Sequence, residues 1–376
     1  MSEHAQEVIV IMPGTRWQDT QGTDHRLAEA LAAHARILWI DPPIPVAGPA
    51  ASVRPQRLRR HYLDEPVPGL TRLRFLAPPK FTHRLMQPAV RALRRRALRS
   101  ALRDLQARVG GTVLLSPRDG FMPGVSGFKS LHVTDDWIAG AGLMGLDSGQ
   151  IRTTLEDSLR HADIVTAVSP HLAESMSRLA GGRDVQTLPN GCSPAPALVP
   201  SVSDERTVLL GQLNERLDFD LLDELLDHGI SLEVIGPRRE REPAVSRRID
   251  RLLAHPQVSW RGEVPPGAVP GLLSGASLGI TPYADSEFNR ASFPLKTLDY
   301  LAAGVPVVAT DSPAVRWLNS PDVHIAEDRR QFVDLVRRVG SARLSDSQRE
   351  SVRLQAVEHS WDARACRLLE LAGGAP

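Results

Sequence analysis

Cysteine is scarce in this chain of 376 residues, in which only Cys192 and Cys366 occur. Two cysteines are too few for the disulfide framework of a secreted protein, and neither lies at metal-ligand spacing from a second sulfur or a histidine. The composition therefore favours a reducing compartment and gives no indication of a metal site.

Long apolar runs and an excess of one charge are missing as well. No run approaches the roughly 18 residues of a membrane-spanning helix, and the polar residues 1–6 lack the basic and apolar parts of a signal peptide. We therefore expect a cytoplasmic protein. Its 45 Lys and Arg residues against 44 Asp and Glu residues leave a net charge of +1, which gives no reason to expect a nucleic-acid partner.

Short β-branched apolar runs alternate with polar turns and amphipathic segments of helical length through most of the chain. This alternation is typical of parallel βαβ units and predicts an α/β fold. In the first half the predicted strands are residues 8–12, 37–40, 70–76, 112–115, 130–134, 164–168 and 185–188. In the second half they are residues 207–210, 231–235, 258–260, 278–281, 305–309 and 323–325.

The length predicts two domains, because a single hydrophobic core seldom keeps growing beyond about 250–300 residues. A proline-rich segment of weak periodicity, residues 193–205, suits an exposed linker. We therefore predict one Rossmann-like domain over residues 1–192 and a second over residues 206–359. A helix within residues 360–376 either completes the second domain or crosses back to the first.

Two segments of the first half depart from the βαβ pattern. Residues 42–79 contain many prolines and little periodicity, which predicts a functional loop. The helical segment from Arg91 to Arg108 carries seven arginines and one acid, Asp104. This segment is either a solvated helix face or a contact surface for anionic lipid headgroups or an anionic acceptor.

The most informative stretch of the sequence is residues 288–311. Ser292 lies where a helix would be capped, Pro294 fits the first turn, and Gly304 fits the end of that helix. The backbone N–H groups of Ser292, Phe293 and Leu295 around this turn would then favour an anion such as phosphate.

Lys296 is unusual in the first turn of this predicted helix, because its charge opposes the helix dipole. One interpretation is that it binds a phosphate group. The other is an intrahelical ion pair with Asp299, three residues further on.

Residues 288–311 resemble the donor-binding signature of GT-B glycosyltransferases, in which a Pro-Leu-Lys turn leads into Glu-Tyr-Leu-Ala-Ala-Gly-x-Pro-Val-Val. They are most similar to group 1, family 4-like glycosyltransferases of the teichuronic-acid biosynthesis type. The resemblance implies two Rossmann-like domains that face each other across a cleft, the first for the acceptor and the second for a nucleotide-sugar donor. It also implies that Lys296 contacts the donor diphosphate and that Asp299 accepts hydrogen bonds from the ribose.

The sequence departs from this signature at one position of consequence. Retaining members of the family carry a glutamate eight residues before the second acidic residue, where this chain has Ala291. A direct carboxylate contact to the donor sugar is therefore in question, and Glu287 in the same loop is a candidate substitute.

Two further stretches of the second domain extend the resemblance. Residues 211–218 look like the family's Gly-x-Leu-x-Glu-Arg-x-Asp turn, in which Gly211 permits close backbone approach and Arg216 offers a planar fork for a pyrophosphate. The strand at residues 232–235 runs into Gly236, which in the family opens onto the nucleotide base. A surface helix lead-in and a plain structural turn are the alternatives.

A polar loop follows the first strand, at the edge where open α/β sheets bind ligands. Its glycines, Gly14 and Gly22, are too far apart for a dinucleotide fingerprint, which argues against a nicotinamide enzyme. The resemblance implies that this loop faces the cleft, and the residues that we expect there are Gly14, Arg16, Trp17, Gln18 and His25.

Adjacent carboxylates follow the strand at residues 130–134. Asp135 and Asp136 leave the same sheet edge, and since neighbouring side chains point to opposite sides, we expect one of them to face the cleft. We predict Asp136 as a catalytic base, with a helix cap or an acceptor-hydroxyl contact as the alternative. His171, after the strand at residues 164–168, is a cleft candidate that is more typically a cap or a surface residue.

The sequence as a whole predicts a glycosyltransferase that moves a sugar from a nucleoside-diphosphate sugar to a hydroxyl acceptor, which would be a glycan, a lipid-linked saccharide or a secondary metabolite. We expect no metal or cofactor, because cationic side chains and a helix N-terminus would neutralise the leaving diphosphate. Whether the anomeric configuration is retained or inverted stays open. The alternatives are a nucleotide-sugar epimerase and a catalytically inactive nucleotide-sugar binding subunit.

Overall fold

A computed structural model of the chain describes residues 6–19, 22–47, 61–79, 81, 84–194 and 204–373. Within these ranges the chain forms sixteen strands and fourteen α-helices. The linker predicted over residues 193–205 lies mostly outside the described residues.

Eight of the first ten strands form one sheet in the order β10-β9-β8-β7-β1-β2-β5-β4, and β3 pairs with β6 separately. Every pairing in the large sheet is parallel except that of β4 with β5. The strands are β1 Gln6–Met12, β2 Ile37–Ile40, β3 Ile44–Pro45, β4 Tyr62–Val67, β5 Leu70–Arg74, β6 Leu76–Ala77, β7 Ala107–Leu114, β8 Phe128–Val133, β9 Ile164–Ala167 and β10 Gln186–Thr187.

The remaining six strands form a second, wholly parallel sheet in the order β13-β12-β11-β14-β15-β16. They are β11 Asp204–Leu210, β12 Leu232–Ile235, β13 Val258–Trp260, β14 Ala276–Thr281, β15 Val307–Thr310 and β16 Val323–Ala326. Each of the thirteen strands predicted from the sequence coincides with an observed strand to within a few residues. The α/β fold class is confirmed.

The helices follow the strands in the manner of βαβ units. In the first half they are α1 Thr23–Ala32, α2 Gln87–Asp104, α3 Ala141–Met144, α4 Ser148–His161 and α5 Pro170–Leu179. In the second half they are α6 Phe219–Asp227, α7 Pro243–Ala254, α8 Val269–Leu273, α9 Glu287–Ala291, α10 Leu295–Ala302, α11 Pro313–Leu318, α12 Arg329–Gly340, α13 Asp346–Val357 and α14 Trp361–Leu371. None of the helices in the described ranges combines the length and hydropathy that crossing a lipid bilayer requires.

The proline-rich stretch at residues 42–79 is not an irregular loop throughout, so that prediction is wrong in part. Its described residues include β3, β4, β5 and β6. β4 lies at the edge of the first sheet, where the sheet tolerates Pro66 although proline has no N–H group to donate. An edge strand with two prolines nearby carries little of the alternating pattern by which strands are recognised.

The C-terminal helix α14 packs against α1 of the first domain. The chain reaches it beside Cys192, whose N–H donates to the His359 carbonyl at 2.8 Å and whose carbonyl accepts from the Trp361 N–H at 3.0 Å. Gly191 allows this approach, because a Cβ atom there would come within 2.8 Å of the Trp361 backbone. Of the two positions left open by the sequence, the helix takes the one on the first domain.

The two sheets place their ligand-binding edges together. β1 has β2 on one side and β7 on the other, and β11 has β12 and β14, so each sheet has a topological switch point at its central strands. Crevices for ligands form at the carboxyl ends of such strands. Contacts across the domains occur at these edges, where the Ser169 hydroxyl donates to the Ala291 carbonyl at 2.8 Å.

Candidate functional site

Two glycines stand back to back at the carboxyl ends of β11 and β12. Gly211 has φ +141° and Gly236 has φ +144°, a backbone region in which side chains are strained. A Cβ atom on Gly236 would lie 1.9 Å from the Gly211 carbonyl oxygen, whereas one on Gly211 would find its nearest neighbour, the Lys296 side chain, at 3.8 Å. The two glycines therefore allow the loops after β11 and β12 to pack closely. Lys296 lies on the side of Gly211 where a side chain would otherwise project.

Lys296 forms the intrahelical ion pair that the sequence allowed. Its Nζ lies 3.1 Å from Asp299 Oδ2 in the first turns of α10, and both side chains keep a quarter to a third of their surface exposed. The pair leaves ammonium protons directed away from Asp299, since the Nζ group has three. The diphosphate role of Lys296 and the ribose role of Asp299 stay predictions.

The turn before α10 differs from the predicted helix cap. Ser292 closes the short helix α9, its hydroxyl donates to the Phe288 carbonyl at 2.9 Å, and Pro294 is the N-cap residue of α10. The N–H groups of Ser292 and Leu295 donate to backbone carbonyls, and proline has none. Within the described part of the chain, only the Phe293 N–H of this turn is left without an acceptor, so the expected cradle of free N–H groups is wrong.

Arg216 is held in one orientation by three neighbours. Its Nε donates to Asn289 Oδ1 at 2.8 Å, and its guanidinium carbon lies 5.0 Å from the ring centres of both Tyr283 and Phe288. Asn289 is itself fixed, because its amide donates to the carbonyl oxygens of Arg216 and Ala284. The terminal nitrogens of Arg216 therefore remain available for an anion, in a fork suited to phosphate oxygens.

Arg216 lies in a crevice of about 370 Å³ at the switch point of the second sheet. The crevice walls come from the loop after β14, from α9 and the turn that follows it, and from the loop after β15. They include Tyr283, Asn289, Ser292, Phe293, Pro294 and Asp311.

The first domain presents Asp135 to this crevice. The Ser292 Oγ lies 3.4 Å from Asp135 Oδ1, a weaker polar contact between the two domains than its hydrogen bond to the Phe288 carbonyl. Burial raises the pKa of Asp135 to about 6, the neighbouring Asp136 carboxylate adds to the rise, and the Arg216 guanidinium opposes it. Asp135 is therefore the member of the carboxylate pair that faces the second domain.

Asp136 points into its own loop. One oxygen accepts hydrogen bonds from the N–H groups of Ile138 at 3.1 Å and Ala139 at 2.9 Å. This is the capping geometry that the sequence left open as an alternative. Its predicted role as the catalytic base stays a prediction.

Sequence reasoning missed Asp24, at the start of α1. Its Oδ2 accepts a hydrogen bond from the Gly14 N–H at 2.9 Å. Burial raises the pKa of Asp24 to about 7, and the nearby Asp135 carboxylate contributes to the rise. Two carboxyl groups with raised pKa values thus lie close together at the carboxyl edge of the first sheet, a grouping that is typical of functional sites.

The residues expected to face the cleft from the loop after β1 and the start of α1 differ in burial. His25, which was expected to face the cleft, is instead fully buried between Trp17 and Trp39, with ring centres 5.3 and 5.0 Å away. Its Nε2 donates to the Arg16 carbonyl at 3.1 Å, and burial lowers its pKa. A ligand has no access to a histidine in this position, so we correct that expectation.

The other expected cleft residues lie nearer the surface. Gln18 is exposed, His171 is half-buried in the first turn of α5, and Arg16 donates to the Pro43 carbonyl at 2.9 Å. Gly14 lies beside Asp24, as its hydrogen bond shows. The cleft roles of these four residues stay predictions.

Ala291 stands where the family pattern has a glutamate. Its side chain is buried, and its carbonyl accepts the Ser169 hydroxyl from the first domain. Glu287 is exposed in the first turn of α9. The segment at residues 287–292 therefore has no carboxylate at position 291 where it contacts the first domain. The Asp135 carboxylate of the first domain lies beside this segment, at Ser292.

The described residues contain one group of three side chains with potential metal-ligand atoms close together. His34, Asp362 and Cys366 place these atoms within 4.8 Å of one another where α1 meets α14. The group belongs to the helix contact and not to the cleft. No role in the site follows from it.

Residues 210–340 match the family described as glycosyl transferases group 1. The second domain is a group 1 glycosyl transferase domain. This match covers the glycine pair, Arg216 and the whole of α10, so it coincides with the crevice described above.

Comparison with individual proteins extends the group 1 assignment. The chain is 29% identical over 180 residues to TuaH of Bacillus subtilis (strain 168), a protein assigned as a teichuronic acid biosynthesis glycosyltransferase. This match covers 44% of the chain and 45% of TuaH, so it spans about half the length of that relative.

Solved structures match over almost the whole chain. Sucrose-phosphate synthase from Thermosynechococcus elongatus has a TM-score of 0.73 at 16% identity, covering 97% of this chain and 98% of its own. Anabaena Alr3699/HepE in complex with UDP and glucose has a TM-score of 0.69 at 12% identity, covering 98% of this chain and 99% of its own. The chain therefore has the GT-B fold.

The raised pKa of Asp24 predicts that Asp24→Asn stabilises the protein at high pH. A carboxyl whose pKa is near 7 in the folded state and 3.8 otherwise favours folding when protonated, and this advantage is lost as pH rises towards 7. We expect the melting temperature of Asp24→Asn to exceed that of the unsubstituted protein at pH 8, and by clearly more than at pH 5.

Asp334→Asn provides the matched control, because Asp334 is exposed on α12. It should shift the melting temperature little at either pH. Equal shifts for Asp24→Asn at pH 5 and pH 8 would contradict the raised pKa.

Proposed function

We propose that this protein is a glycosyltransferase that moves a sugar from a nucleoside-diphosphate sugar to a hydroxyl acceptor. The observation that carries the proposal is the oriented Arg216 in the crevice beside α9, where the wall residue Ser292 meets Asp135 of the first domain. Lys296 lies beside Gly211 in the same domain. Cations held in place at a leaving diphosphate stabilise the charge that develops as the glycosidic bond breaks.

The donor would occupy the group 1 domain. Arg216 supports this placement because its neighbours hold the guanidinium fork before any ligand arrives, which lowers the entropic cost of binding. Lys296 adds a second cation beside Gly211, and Asp299 would then accept from ribose hydroxyls. Preorganised cations suffice for this role, so the proposal includes no metal or cofactor.

Asp24 is the group that we assign as proton acceptor for the attacking hydroxyl. A general base works best when its pKa lies near the working pH, and Asp24 is raised to about 7 by burial. Asp136 is less suited, because one of its oxygens already caps the turn after β8. The nearby Asp135 carboxylate adds to this rise in the pKa of Asp24.

A catalytically inactive binding subunit is the second candidate, and Ala291 is the observation that favours it. Such a protein would bind the donor and release no free nucleotide. Measurement of nucleotide release from the bound donor separates the two candidates.

The outer face of α2 supports a peripheral contact with anionic membranes. Arg91, Arg96, Arg99 and Arg103 are exposed there, and in the described structure none of them forms an ion pair. Leu85, just before the helix, is 74% exposed. Basic side chains beside an exposed leucine suit a surface of anionic lipid headgroups.

Calorimetric titration with UDP, GDP, dTDP and NAD tests the donor site. We expect saturable binding of one diphosphate, weakened at least about tenfold by Lys296→Ala and by Arg216→Ala, because each substitution removes a charged contact. Lys129→Ala is the matched control, since Lys129 lies at the amino end of β8, away from the crevice. Binding of NAD alone, or of no diphosphate, would remove the basis of the proposal.

A series of asparagine variants tests the proton acceptor. With the donor that binds, and water as the acceptor, we expect Asp24→Asn to slow nucleotide release by about 100-fold or more. Asp136→Asn should retain most of the rate. The unsubstituted protein should gain rate as pH rises through about 6 to 7, and Asp24→Asn should lose this dependence. A normal pH profile in Asp24→Asn would reassign the base.

Vesicle sedimentation tests the membrane contact. Replacing the four exposed arginines of α2 by glutamine should lower binding to vesicles of phosphatidylglycerol and phosphatidylcholine at least about tenfold, since each basic residue contributes roughly 1 kcal/mol near such a surface. The control replaces four exposed arginines of the second domain, Arg247, Arg251, Arg330 and Arg338. Equal loss in both quadruple variants would show non-specific attraction.

A further inference from the structure

A second pocket lies in the first domain, under the inner face of α2. It lies between the loops that follow β1 and β7 and the start of α4. Its walls are mainly apolar and include Pro43, Phe81, Val90, Leu146 and Ile151. Gly14 lines it too, so the pocket opens beside the Asp24 carboxyl that accepts the Gly14 N–H.

Three arginines surround the mouth of this pocket. Arg118 forms part of its wall, and Arg16 donates to the carbonyl of Pro43, another wall residue. Arg241 comes from the second domain, and its Nη1 would lie 2.8 Å from a Cβ atom on Gly145, next to the wall residue Leu146. The three guanidinium groups thus reach one place from three separate loops.

These arginines lack acidic partners. In the ranges that the structure describes, none of the three forms an ion pair, and the Nε of Arg16 is buried without a hydrogen-bond acceptor. An acidic neighbour of Arg118, Asp119, is already engaged by Arg94 at 2.6 Å and by the Ser116 hydroxyl. Burial lowers the pKa of Arg118, the Asp119 carboxylate opposes this shift, and the charges of Arg16 and Arg241 add to it.

Arg118 and Arg241 are exposed and Arg16 is half-buried, so an anion can reach all three groups, whose like charges repel one another. Guanidinium groups bind phosphate and carboxylate oxygens through paired hydrogen bonds, and three of them can surround one such group. An apolar cavity directly behind them would receive a part of the same molecule that prefers to leave water.

We propose that the acceptor carries a phosphate or carboxylate group that Arg16, Arg118 and Arg241 bind at the pocket mouth, and that an adjoining apolar part of the acceptor enters the pocket. The inference rests on the proposed function and adds a charge and an amphiphilic character to the acceptor. Because Arg241 belongs to the second domain, the bound anion would contact both domains at once.

Titration with three short amphiphiles tests the proposal on the full chain. Octyl phosphate, octanoate and octyl glucoside, each below its micelle-forming concentration, share the apolar tail and differ in the head. We expect at least one of the anionic probes to bind saturably and the neutral glucoside to bind at least about tenfold more weakly. The tighter of the two anionic probes identifies the charged group.

Arginine variants then locate the binding. Arg118→Ala and Arg241→Ala should each weaken the anionic probe at least about tenfold, while Arg330→Ala, on the exposed side of α12, should leave it unchanged. Equal binding of the glucoside, or no effect of Arg118→Ala and Arg241→Ala, would overturn the proposal.

UDP binding in the same variants separates this inference from the proposed function. UDP should bind Arg118→Ala as it binds the unsubstituted protein. Loss of UDP binding in that variant would place the arginines in the donor site and overturn the inference. If the unsubstituted protein binds octyl phosphate but no nucleoside diphosphate, the proposed function fails while the anion site stands.

Discussion

The hydrogen bond between Arg216 and Asn289 organises the interdomain site. It fixes the guanidinium group between two aromatic rings and ties the loop after β11 to α9. That helix carries the Ala291 carbonyl, which accepts the Ser169 hydroxyl of the first domain, and leads to Ser292, which contacts Asp135. The position of one side chain therefore sets both the charge of the crevice and the contact between the domains.

The cleft contains two kinds of electrostatic imbalance. On the first domain, Asp24 and Asp135 are carboxyl groups that burial drives towards protonation. Arg216 and Lys296 come from the second domain, and the three arginines at the neighbouring pocket form no ion pair within the described part of the chain. These charges do not stabilise the folded protein by themselves. We therefore interpret them as groups that bind anions and transfer protons.

The strands were predictable because parallel strands buried on both faces appear as continuous apolar runs. The donor loop was predictable in its residues but not in its geometry. Ser292 resembles a cap for α10 in the sequence, yet one turn of helix precedes it and uses its hydroxyl. No pattern marks α9 in advance, since a five-residue helix is too short for periodicity to show.

The residues whose environment depends on burial were the hardest to predict from the sequence. His25 occupies the same face of α1 as Ala28 and Leu31, all three buried, so helical spacing could have marked it as a core residue. Asp24 gave no comparable signal, because its raised pKa comes from burial and from Asp135, which lies more than a hundred residues away. Its environment exists only once the sheet has formed.

The return of α14 to the first domain has a mechanical consequence. The described chain leaves the first domain at residue 194, resumes in the second at residue 204, and returns to the first beside Cys192 near Ser360. A body tethered at one point can swing and twist in any direction, whereas one tethered at two points is largely restricted to rotation about the line that joins them. The second passage therefore restricts the opening of the cleft mainly to rotation about one axis. The two sheet edges then return to the same alignment each time the cleft closes.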